Sequence, residues 1–277
     1  RLGIENRRAA KSPIPNPHSP IWLIMTSSWS LGLDIGASAT KAVLLDGEQV
    51  RARALCRSGA DFAAAAKACR DEVVASAGLT ARDVARCVAT GYGRHRVDFA
   101  NTSVTEITCH ARGCYAGFPR AITIIDIGGQ DNKVILLEEN GERRSFRMNR
   151  KCAAGTGAFL EEIAGQLETP LAGLNDLARQ ASGTVELGSF CTVFAKTELL
   201  ALIARGTPLP ELVRAAFRSV AKRMLEMDPL AGEVVMTGGV VAHNPIIVEL
   251  VSAALGRPVL VPDYPQHTGA LGAIRAR

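Results

Sequence analysis

Apolar residues recur along the chain with two spacings, one typical of strands and one typical of helices. Alternation over residues 30 to about 57 predicts two or three strands with a turn of small residues between them. A similar hairpin is predicted from residue 121, and further strands over 84–90, 234–237 and 258–261. Because a hairpin followed by helices occurs twice, the pattern indicates a duplicated α/β unit.

Helical spacing fills much of the remaining chain. Pro208 and Pro229 act as start and stop signals for the longest of these segments. The predicted helices cover 62–77, 102–115, 158–167, 195–204 and 209–227, with a last one after Gly269.

The order of these elements predicts two lobes. Residues 30–120 form the first, which the chain rejoins at about 268–277, and residues 121–267 form the second. Residues 1–29 are rich in proline and basic side chains, which predicts a disordered leader. We interpret this leader as an upstream extension of a reading frame that starts at Met25, with a short partner-binding tail as the alternative.

Composition narrows the class of protein. With 277 residues and 47% hydrophobic content, the chain can bury one large core or two modest lobes. No run reaches the ~18 apolar residues of a membrane span. Seven cysteines without CxxC spacing or a signal peptide predict a reducing, cytoplasmic location. Four basic residues against one acidic residue give the leader +3 of the net +5, and the rest of the chain has no basic stripe flanked by aromatic residues, so nucleic acid is not expected as a partner. The lack of a long apolar run likewise predicts no membrane partner.

Three glycine-rich segments follow strand-like runs. In the first, Asp34 precedes a turn of small residues that ends at Lys41. Backbone N–H groups in such a turn can bind phosphate oxygens, and the carboxylate can hold magnesium through water. The second repeats this design around Asp126, and the third is a buried strand that ends in Gly238 and Gly239, where a flat base can lie against the backbone. Each alone is a weak signal, but the three together are specific.

Two cysteines lie just before predicted helices. Cys152 precedes the helix over 158–167, and Cys191 precedes the helix over 195–204. Thiolates at helix N-termini face the positive end of the helix dipole, which suits them to hold an electron-poor metal centre. Two cysteines make half of a four-thiolate cluster site, and a symmetric dimer would supply the other half. On residue chemistry alone, the alternative that both are buried cysteines at tight turns stays open.

The other five cysteines lie in apolar surroundings and are expected to pack in the core: Cys56, Cys69, Cys87, Cys109 and Cys114. Zinc at the last two is rejected, because structural zinc needs a second ligand pair. His243 and His267 lie near the third glycine-rich segment and are expected to have structural roles.

The glycine-rich segments resemble the phosphate-1, phosphate-2 and adenosine motifs of the actin, Hsp70 and sugar-kinase superfamily. Together with Thr90-Gly-Tyr-Gly-Arg94, Cys109-His-Ala-Arg-Gly113 and Lys151-Cys-Ala-Ala-Gly-Thr-Gly157, they resemble the activators of 2-hydroxyacyl-CoA dehydratases. The ATPase subunits of benzoyl-CoA reductases belong to the same branch, the BadF/BadG/BcrA/BcrD ATPase family. The likeness runs from about Leu31 to the C-terminus.

The resemblance implies an α/β, actin-like (ribonuclease H-like) duplicated ATPase fold, with ATP or ADP and Mg²⁺ in the cleft between two lobes. It implies a homodimer, or a heterodimer with a sister subunit, that shares one [4Fe–4S] cluster held by Cys152 and Cys191. Such proteins hydrolyse ATP to push a low-potential electron from a ferredoxin- or flavodoxin-type donor into an acyl-CoA dehydratase or reductase component.

Carried over by position, the resemblance also assigns roles in the cleft. Asp34 and Asp126 become the magnesium-associated catalytic carboxylates, and either Gln130 or Asp131 orients the attacking water. The nucleotide site comprises Gly36, Ala37, Ser38, Ala39, Thr40, Lys41, Gly128, Gly129, Gln130, Gly238, Gly239 and Gln266.

Two charged features bear on the partner. Lys196 follows the Cys191 motif where the better-known activators carry an acid, and a cation there can shift a cluster potential or alter docking. A basic cluster also precedes Cys152 and is interpreted either as a solvated hairpin edge or as a docking rim for an acidic electron donor or acceptor. Its members are Arg143, Arg144, Arg147, Arg150 and Lys151.

Three functional classes are weighed. The first is an ATP-dependent electron activator of a 2-hydroxyacyl-CoA dehydratase, with the ATPase subunit of a benzoyl-CoA-type aromatic reductase as its variant. The second is a small-molecule kinase of the same superfamily, for which the chain lacks an obvious sugar-binding insertion and catalytic base. The third is a non-catalytic nucleotide-binding regulator in which the cysteines only pack.

Overall fold

The computed structural model describes residues 29–149, 151–188 and 191–275. The predicted leader lies outside these residues except for Trp29, which is instead the first residue of the first strand. Within the described ranges, no helix is both long and apolar enough to cross a membrane.

The first sheet is built on the first predicted hairpin. β1 (Trp29–Ile35) and β2 (Ala39–Asp46) are antiparallel, and β3 (Gln49–Arg57) continues the meander. β4 (Val84–Thr90) joins β1 in parallel, followed by the short β5 (Thr102–Ser103). The strand order is β3-β2-β1-β4-β5, so β1 is central.

The second sheet repeats this scheme. β6 (Ile122–Ile127) and β7 (Asn132–Leu137) form the second hairpin, and β8 (Arg143–Asn149) continues it. β9 (Val234–Thr237) joins β6 in parallel, as β4 joins β1. The order β8-β7-β6-β9 places β6 in the interior, so both hairpins begin on a buried strand.

Helices cover the two sheets. Asp61 begins the first of them, because its side chain accepts a hydrogen bond of 3.0 Å from the Ala64 N–H. The helices are α1 (Phe62–Ser76), α2 (Glu106–Tyr115), α3 (Gly157–Gln166), α4 (Leu174–Arg179), α5 (Thr192–Ala204), α6 (Leu209–Met227), α7 (Gly239–His243), α8 (Ile246–Leu255) and α9 (Thr268–Ile274).

Each sheet has its own hydrophobic core. On the first sheet, α1 packs Val73 and its neighbours against β1 and β2. On the second, α3, α6 and α8 surround Phe159 and Phe217. The C-terminal α9 packs against α2 and against the first sheet. This close approach needs small residues, since a Cβ on Gly272 would overlap the backbone carbonyl of Cys109.

Several elements differ from the sequence prediction. The helix predicted over 102–115 begins only at Glu106, because residues 102–103 pair with β4. The strand predicted over 258–261 is reduced to one bridge, between Val235 and Leu260. The helices α4, α7 and α8 were not predicted. The first two differences depend on strand pairing with another part of the chain.

Arg143, Arg144 and Arg147 of the basic cluster lie on β8, an edge strand whose side chains are mostly exposed, and Lys151 follows it. Arg147 pairs with Asp228 at 3.4 Å and Arg144 with Glu138 at 3.7 Å. Arg150 lies outside the described residues. The placement agrees with the hairpin-edge interpretation, and docking of an acidic partner stays a prediction.

Candidate functional site

A cleft of about 980 Å³ lies where the ends of β1, β6 and β9 meet, a volume typical of ligand sites. The predicted nucleotide residues line it, with one exception. The lining set is Gly36, Ala37, Ser38, Ala39, Lys41, Gly128, Gly129, Gln130, Gly238, Gly239 and Gln266, together with Asp34, Asp126 and Asp131. The exception is Thr40, which is buried beneath the hairpin and bonds the Ser58 hydroxyl at 2.9 Å.

The turn between β1 and β2 is held by hydrogen bonds to its backbone. The Gly36 N–H donates to the Ala39 carbonyl at 3.1 Å. The Ser58 hydroxyl donates to the Gly36 carbonyl at 2.6 Å. All residues of the turn from Gly36 to Ala39 line the cleft, and the backbone N–H groups of such a turn suit anionic oxygens.

Asp34 and Asp126 occupy equivalent places at the ends of β1 and β6. Lys41 donates to Asp34 at 3.2 Å, and Lys133 donates to Asp126 at 3.1 Å. Both lysines follow their carboxylate by seven residues on the returning strand. The sequence analysis named Lys41 but missed Lys133, which the repeated spacing would have revealed.

Asp126 is the more deeply enclosed of the two carboxylates. Thr237 donates to it at 2.9 Å, and the His110 Nδ1 lies 3.5 Å away. Burial alone would raise the pKa of Asp126, but the charges of His110 and Lys133 and the hydrogen bonds from Lys133 and Thr237 hold that pKa well below its usual range. The carboxylate is therefore ionised throughout the neutral range.

The turn between β6 and β7 separates its two candidate water-orienting residues. The Asp131 carboxylate accepts a hydrogen bond of 2.7 Å from Lys133, and its backbone carbonyl accepts one of 2.9 Å from the Gly128 N–H. Gln130 is exposed at the rim and lines the cleft. A Cβ on Gly129 would overlap the Ser38 side chain, so the two turns touch across the cleft.

Helix α2 contributes two cleft residues that the sequence analysis did not assign. Glu106 and His110 lie one helical turn apart and both line the cleft. Burial raises the pKa of Glu106. A Cβ on Gly269 would lie 3.0 Å from Asp34 Oδ2 and 3.2 Å from His110 Nε2, which places His110 between the two carboxylates. The i, i+4 spacing of Glu106 and His110 was the sequence signal that could have identified this pair.

The third glycine-rich segment meets the loop before α9. Gly238 has φ +100°, and a Cβ there would overlap the Ile127 carbonyl, so only glycine fits. The Gly238 N–H donates to the Pro265 carbonyl at 3.0 Å. A Cβ on Gly239 would lie 3.1 Å from the Gln266 amide nitrogen. Both glycines therefore pack closely against their neighbours, and both line the cleft.

Cys152 and Cys191 lie outside the cleft lining, and both are half-buried. Cys191 is the residue that precedes α5 directly. Cys152 lies in the loop before α3, where its backbone N–H and carbonyl bond the Asn149 side chain at 3.3 and 3.0 Å. Lys196 on α5 pairs with Glu162 on α3, which joins the two cysteine-bearing helices.

The described part of one chain contains no group of three or more His, Cys, Asp and Glu side chains placed to hold a metal. One chain thus offers Cys152 and Cys191 as an incomplete thiol set. The remaining described cysteines, Cys69, Cys87, Cys109 and Cys114, are buried as predicted, whereas Cys56 is only half-buried.

Backbone hydrogen bonds connect the second turn of the cleft to the Cys152 loop. The Gly157 N–H donates to the Gly128 carbonyl at 2.9 Å, and the Ala158 N–H donates to the Gly129 carbonyl at 2.7 Å. The Asn132 side chain donates to the Gly155 carbonyl at 2.7 Å. The second turn is therefore joined directly to the start of α3.

Comparisons with known proteins agree with this geometry. A profile of the BadF/BadG/BcrA/BcrD ATPase family matches residues 31–275. The activator of lactoyl-CoA dehydratase from Anaerotignum propionicum is 42% identical, over 88% of this chain and 95% of the relative. A benzoyl-CoA reductase component from Thauera aromatica is a more distant relative, 29% identical over 87% of this chain and 90% of its own length.

Two solved structures are similar along most of their length. One is the activator of the 2-hydroxyisocaproyl-CoA dehydratase from Clostridium difficile with bound ADPNP, with a TM-score of 0.83, 38% identity, and coverage of 89% of this chain and 92% of the other. The second is the component A of the (R)-2-hydroxyglutaryl-CoA dehydratase from Acidaminococcus fermentans, with a TM-score of 0.84, 38% identity, and coverage of 90% and 96%.

Proposed function

Because the chain belongs to the BadF/BadG/BcrA/BcrD ATPase family, we propose that it is the ATP-hydrolysing activator of a 2-hydroxyacyl-CoA dehydratase. ATP hydrolysis in its cleft would drive a low-potential electron into that enzyme. The predicted actin-like α/β ATPase fold is confirmed, since the family is one of ATPases and the similar solved structures share the fold.

The two hairpin turns are proposed to hold the phosphates of ATP. Except for Thr40, residues 36–41 line the same cleft as residues 128–130. The N–H groups of the two turns that donate to no carbonyl would donate to phosphate oxygens. Lys41 and Lys133 add positive charge beside them. Gly238, Gly239 and Gln266 line the same cleft and would hold the adenosine. Phosphoryl transfer needs mainly such positioning and charge neutralisation.

Magnesium fits the carboxylates at the two strand ends. Mg²⁺ prefers oxygen ligands and keeps several waters, so it is commonly held by one or two carboxylates together with phosphate oxygens. Asp34 and Asp126 are 5% and 2% exposed, and both line the cleft. Bound there, the ion would neutralise phosphate charge in addition to the charge that Lys41 and Lys133 supply.

Of the two candidates for orienting the attacking water, the contacts favour Gln130. The Asp131 carboxylate is already engaged by Lys133 at 2.7 Å. The Gln130 side chain is exposed in the cleft and can accept from, and donate to, a water molecule beside the phosphates.

An iron–sulfur cluster fits the chemistry of the two cysteines. Cys152, in the loop before α3, and Cys191, directly before α5, are free thiols next to two joined helices, and four thiolates from two chains make a [4Fe–4S] ligand set. When bound, such a cluster supplies one-electron transfer at low potential. The two cysteines would hold the cluster. The positive charge of Lys196 is balanced by its ion pair with Glu162.

The hydrogen bonds from the start of α3 to Gly128 and Gly129 carry this proposal. They connect the turn that would bind the transferred phosphate with the loop that holds Cys152. Hydrolysis would relax this turn and shift the Cys152 loop, and the surroundings of a cluster set its potential.

The partners follow from the same proposal. A second copy of this chain, or a sister subunit, would complete the thiolate set, and a ferredoxin- or flavodoxin-type protein would donate the electron. The acceptor is proposed to be a dehydratase rather than an aromatic reductase, because the dehydratase activator is 42% identical and the reductase component 29%.

The proposal is tested with anaerobically purified protein. We expect about four iron atoms per dimer, ATP hydrolysis, and ATP-dependent activation of a 2-hydroxyacyl-CoA dehydratase. Cys152→Ser and Cys191→Ser should lose iron and activation, whereas Cys87→Ala, which removes a buried thiol of the first sheet, should keep both. Serine variants that retain full iron and its absorption spectrum would contradict the cluster, and sugar-stimulated ADP release without iron would indicate a kinase.

A further inference from the structure

Cys56 and Cys69 lie side by side next to the cleft, and the proposed function uses neither. Cys56 is on β3 and Cys69 on α1, and their Sγ atoms are 3.1 Å apart. A disulfide needs about 2.05 Å between the sulfurs, so a movement of about 1 Å is enough to form one. The other described cysteines make no sulfur–sulfur contact within the described chain.

The two thiols differ in access and in reactivity. Cys56 is half-buried and lines the cleft, so a small reagent in the cleft can reach it. Cys69 is fully buried, and this burial, with the neighbouring Cys56, raises the pKa of its thiol far above the usual value. Reactive cysteines are accessible and often have a second cysteine beside them that resolves the first product. Cys56 matches the first role and Cys69 the second.

Hydrogen bonds connect this pair to the first phosphate-binding turn. The Cys69 thiol donates to the Thr40 carbonyl at 3.4 Å, and Thr40 is the strand partner of Cys56 between β2 and β3. The Thr40 hydroxyl bonds Ser58, and Ser58 donates to the Gly36 carbonyl at 2.6 Å. A disulfide would remove the donor to Thr40 and draw the Cys56 sulfur away from the cleft wall. Both changes disturb the turn.

We propose that Cys56 and Cys69 form a reversible disulfide that lowers the affinity of the cleft for nucleotide. The oxidant is a small-molecule disulfide. Its sulfur–sulfur bond breaks as the Cys56 thiolate attacks it, which releases one thiol and leaves a mixed disulfide. Cys69 then attacks the Cys56 sulfur and gives up its proton to the departing thiolate, which leaves as the second thiol and completes the protein disulfide. Two protein thiols are oxidised, one disulfide is reduced to two thiols, and no other electron carrier is needed.

Reversibility is expected from the location. A disulfide in a reducing compartment is usually transient and regulatory rather than structural. Such a switch would stop ATP binding under oxidising conditions and would be reset by thiols.

The test treats the full-length protein with oxidised glutathione and maps disulfides by mass spectrometry. A second preparation carries Cys152→Ser and Cys191→Ser, so that the proposed cluster ligands cannot react. We expect a Cys56–Cys69 cross-link in both preparations. ADP affinity, measured by calorimetry, should fall about tenfold, or about 1.4 kcal/mol, and dithiothreitol should restore it.

Two variants separate this site from general oxidation. Cys69→Ser keeps a hydroxyl that can donate to the Thr40 carbonyl, but it cannot attack the mixed disulfide at Cys56. Cys56 should therefore retain glutathione as a stable adduct. Cys87→Ser replaces another buried thiol of the same sheet and should respond like its parent. The proposal is overturned if no Cys56–Cys69 cross-link forms, or if the cross-linked protein binds ADP as tightly as the reduced one. Neither result depends on iron or on a dehydratase, so failure here is distinct from failure of the proposed function.

Discussion

Asp34 and Asp126 are buried carboxylates at equivalent positions in the two hairpins. Each is nearly buried at the end of a strand and accepts a hydrogen bond from a lysine seven residues later. A buried carboxylate needs such a partner, because an unpaired charge in the interior is costly. The repeated ion pair therefore serves the stability of each sheet as well as any ligand bound between them.

Asp126→Asn tests how much the buried ion pair between Asp126 and Lys133 stabilises the fold. The amide keeps the shape but leaves the buried Lys133 charge with Asp131 as its remaining carboxylate. We expect a loss of about 3 kcal/mol in the free energy of unfolding, measured with urea, since removing one partner of a buried pair costs this much. Asp46→Asn is the matched control, because Asp46 pairs with Arg51 at the surface and should cost less than about 1 kcal/mol. Equal losses would contradict the argument.

His267 predicts a pH dependence of stability. Burial is the main cause that lowers its pKa; the charge of Arg53 adds to this, and a hydrogen bond with Ala54 opposes it. Because the folded pKa lies below the unfolded one, the unfolded chain takes up the proton first as the pH falls. The contribution of neutral His267 to stability is therefore complete above the pKa of histidine in the unfolded chain, about 6.5, and declines as the pH falls below it.

We expect the free energy of unfolding of the nucleotide-free protein to decrease between pH 7.5 and 5.5. The free energy of unfolding of His267→Gln should decrease less over the same range. The difference between the two urea-unfolding series gives the contribution of this one histidine. An identical slope for both proteins would show that His267 is not buried in its neutral form.

At the scale of elements, the start of α3 connects the two candidate sites. The Gly157 N–H donates to the Gly128 carbonyl at 2.9 Å, and Thr156 before it is extended. Proline is tolerated at the first position of a helix, particularly after an extended residue, but it has no N–H to donate. Gly157→Pro should therefore keep the helix and remove this hydrogen bond.

We expect Gly157→Pro to weaken the coupling between ATP hydrolysis and dehydratase activation by about fivefold, the effect of about 1 kcal/mol for one hydrogen bond. The measured quantity is the amount of ATP hydrolysed per dehydratase activated. Gly157→Ala is the control, because it adds the same Cβ beside Gly129, 3.1 Å from its Cα, yet keeps the N–H. If alanine and proline have the same effect, crowding explains it and the hydrogen bond carries no coupling.

At the scale of the whole molecule, α5 leaves an apolar surface uncovered. Val193 and Phe194 are both 67% exposed, and Leu200 and Ile203 are 50% and 40% exposed. They lie on the helix that begins directly after Cys191. Exposed apolar patches of this kind are typical of protein interfaces. In the proposed dimer, the second subunit would cover them.

Phe194→Asp should therefore convert the dimer into monomers in size-exclusion chromatography coupled to light scattering, performed on anaerobic protein. Phe146→Asp is the matched control: Phe146 is 47% exposed, but it lies on the edge strand β8, and its replacement should leave the dimer intact. A dimer that survives Phe194→Asp would place the interface elsewhere.

Much of the fold and of the cleft was predictable from the sequence, because the signals are local. Hairpins, turns of small residues and most helices follow from spacing within a few residues, and the glycine segments of both hairpins do line the cleft. Their roles in catalysis, and those of Cys152 and Cys191, remain predictions.

The tertiary structure decided what depends on residues far apart in the chain. It brought His110 beside Asp126, placed Cys56 against Cys69, reduced the strand around Leu260 to a bridge, and buried Thr40 away from the cleft. Local periodicity carries no information about which surfaces meet, because that choice is made by the packing of whole sheets and helices. The sequence by itself determined the two hairpins and the family, and packing determined which side chains share the cleft between them.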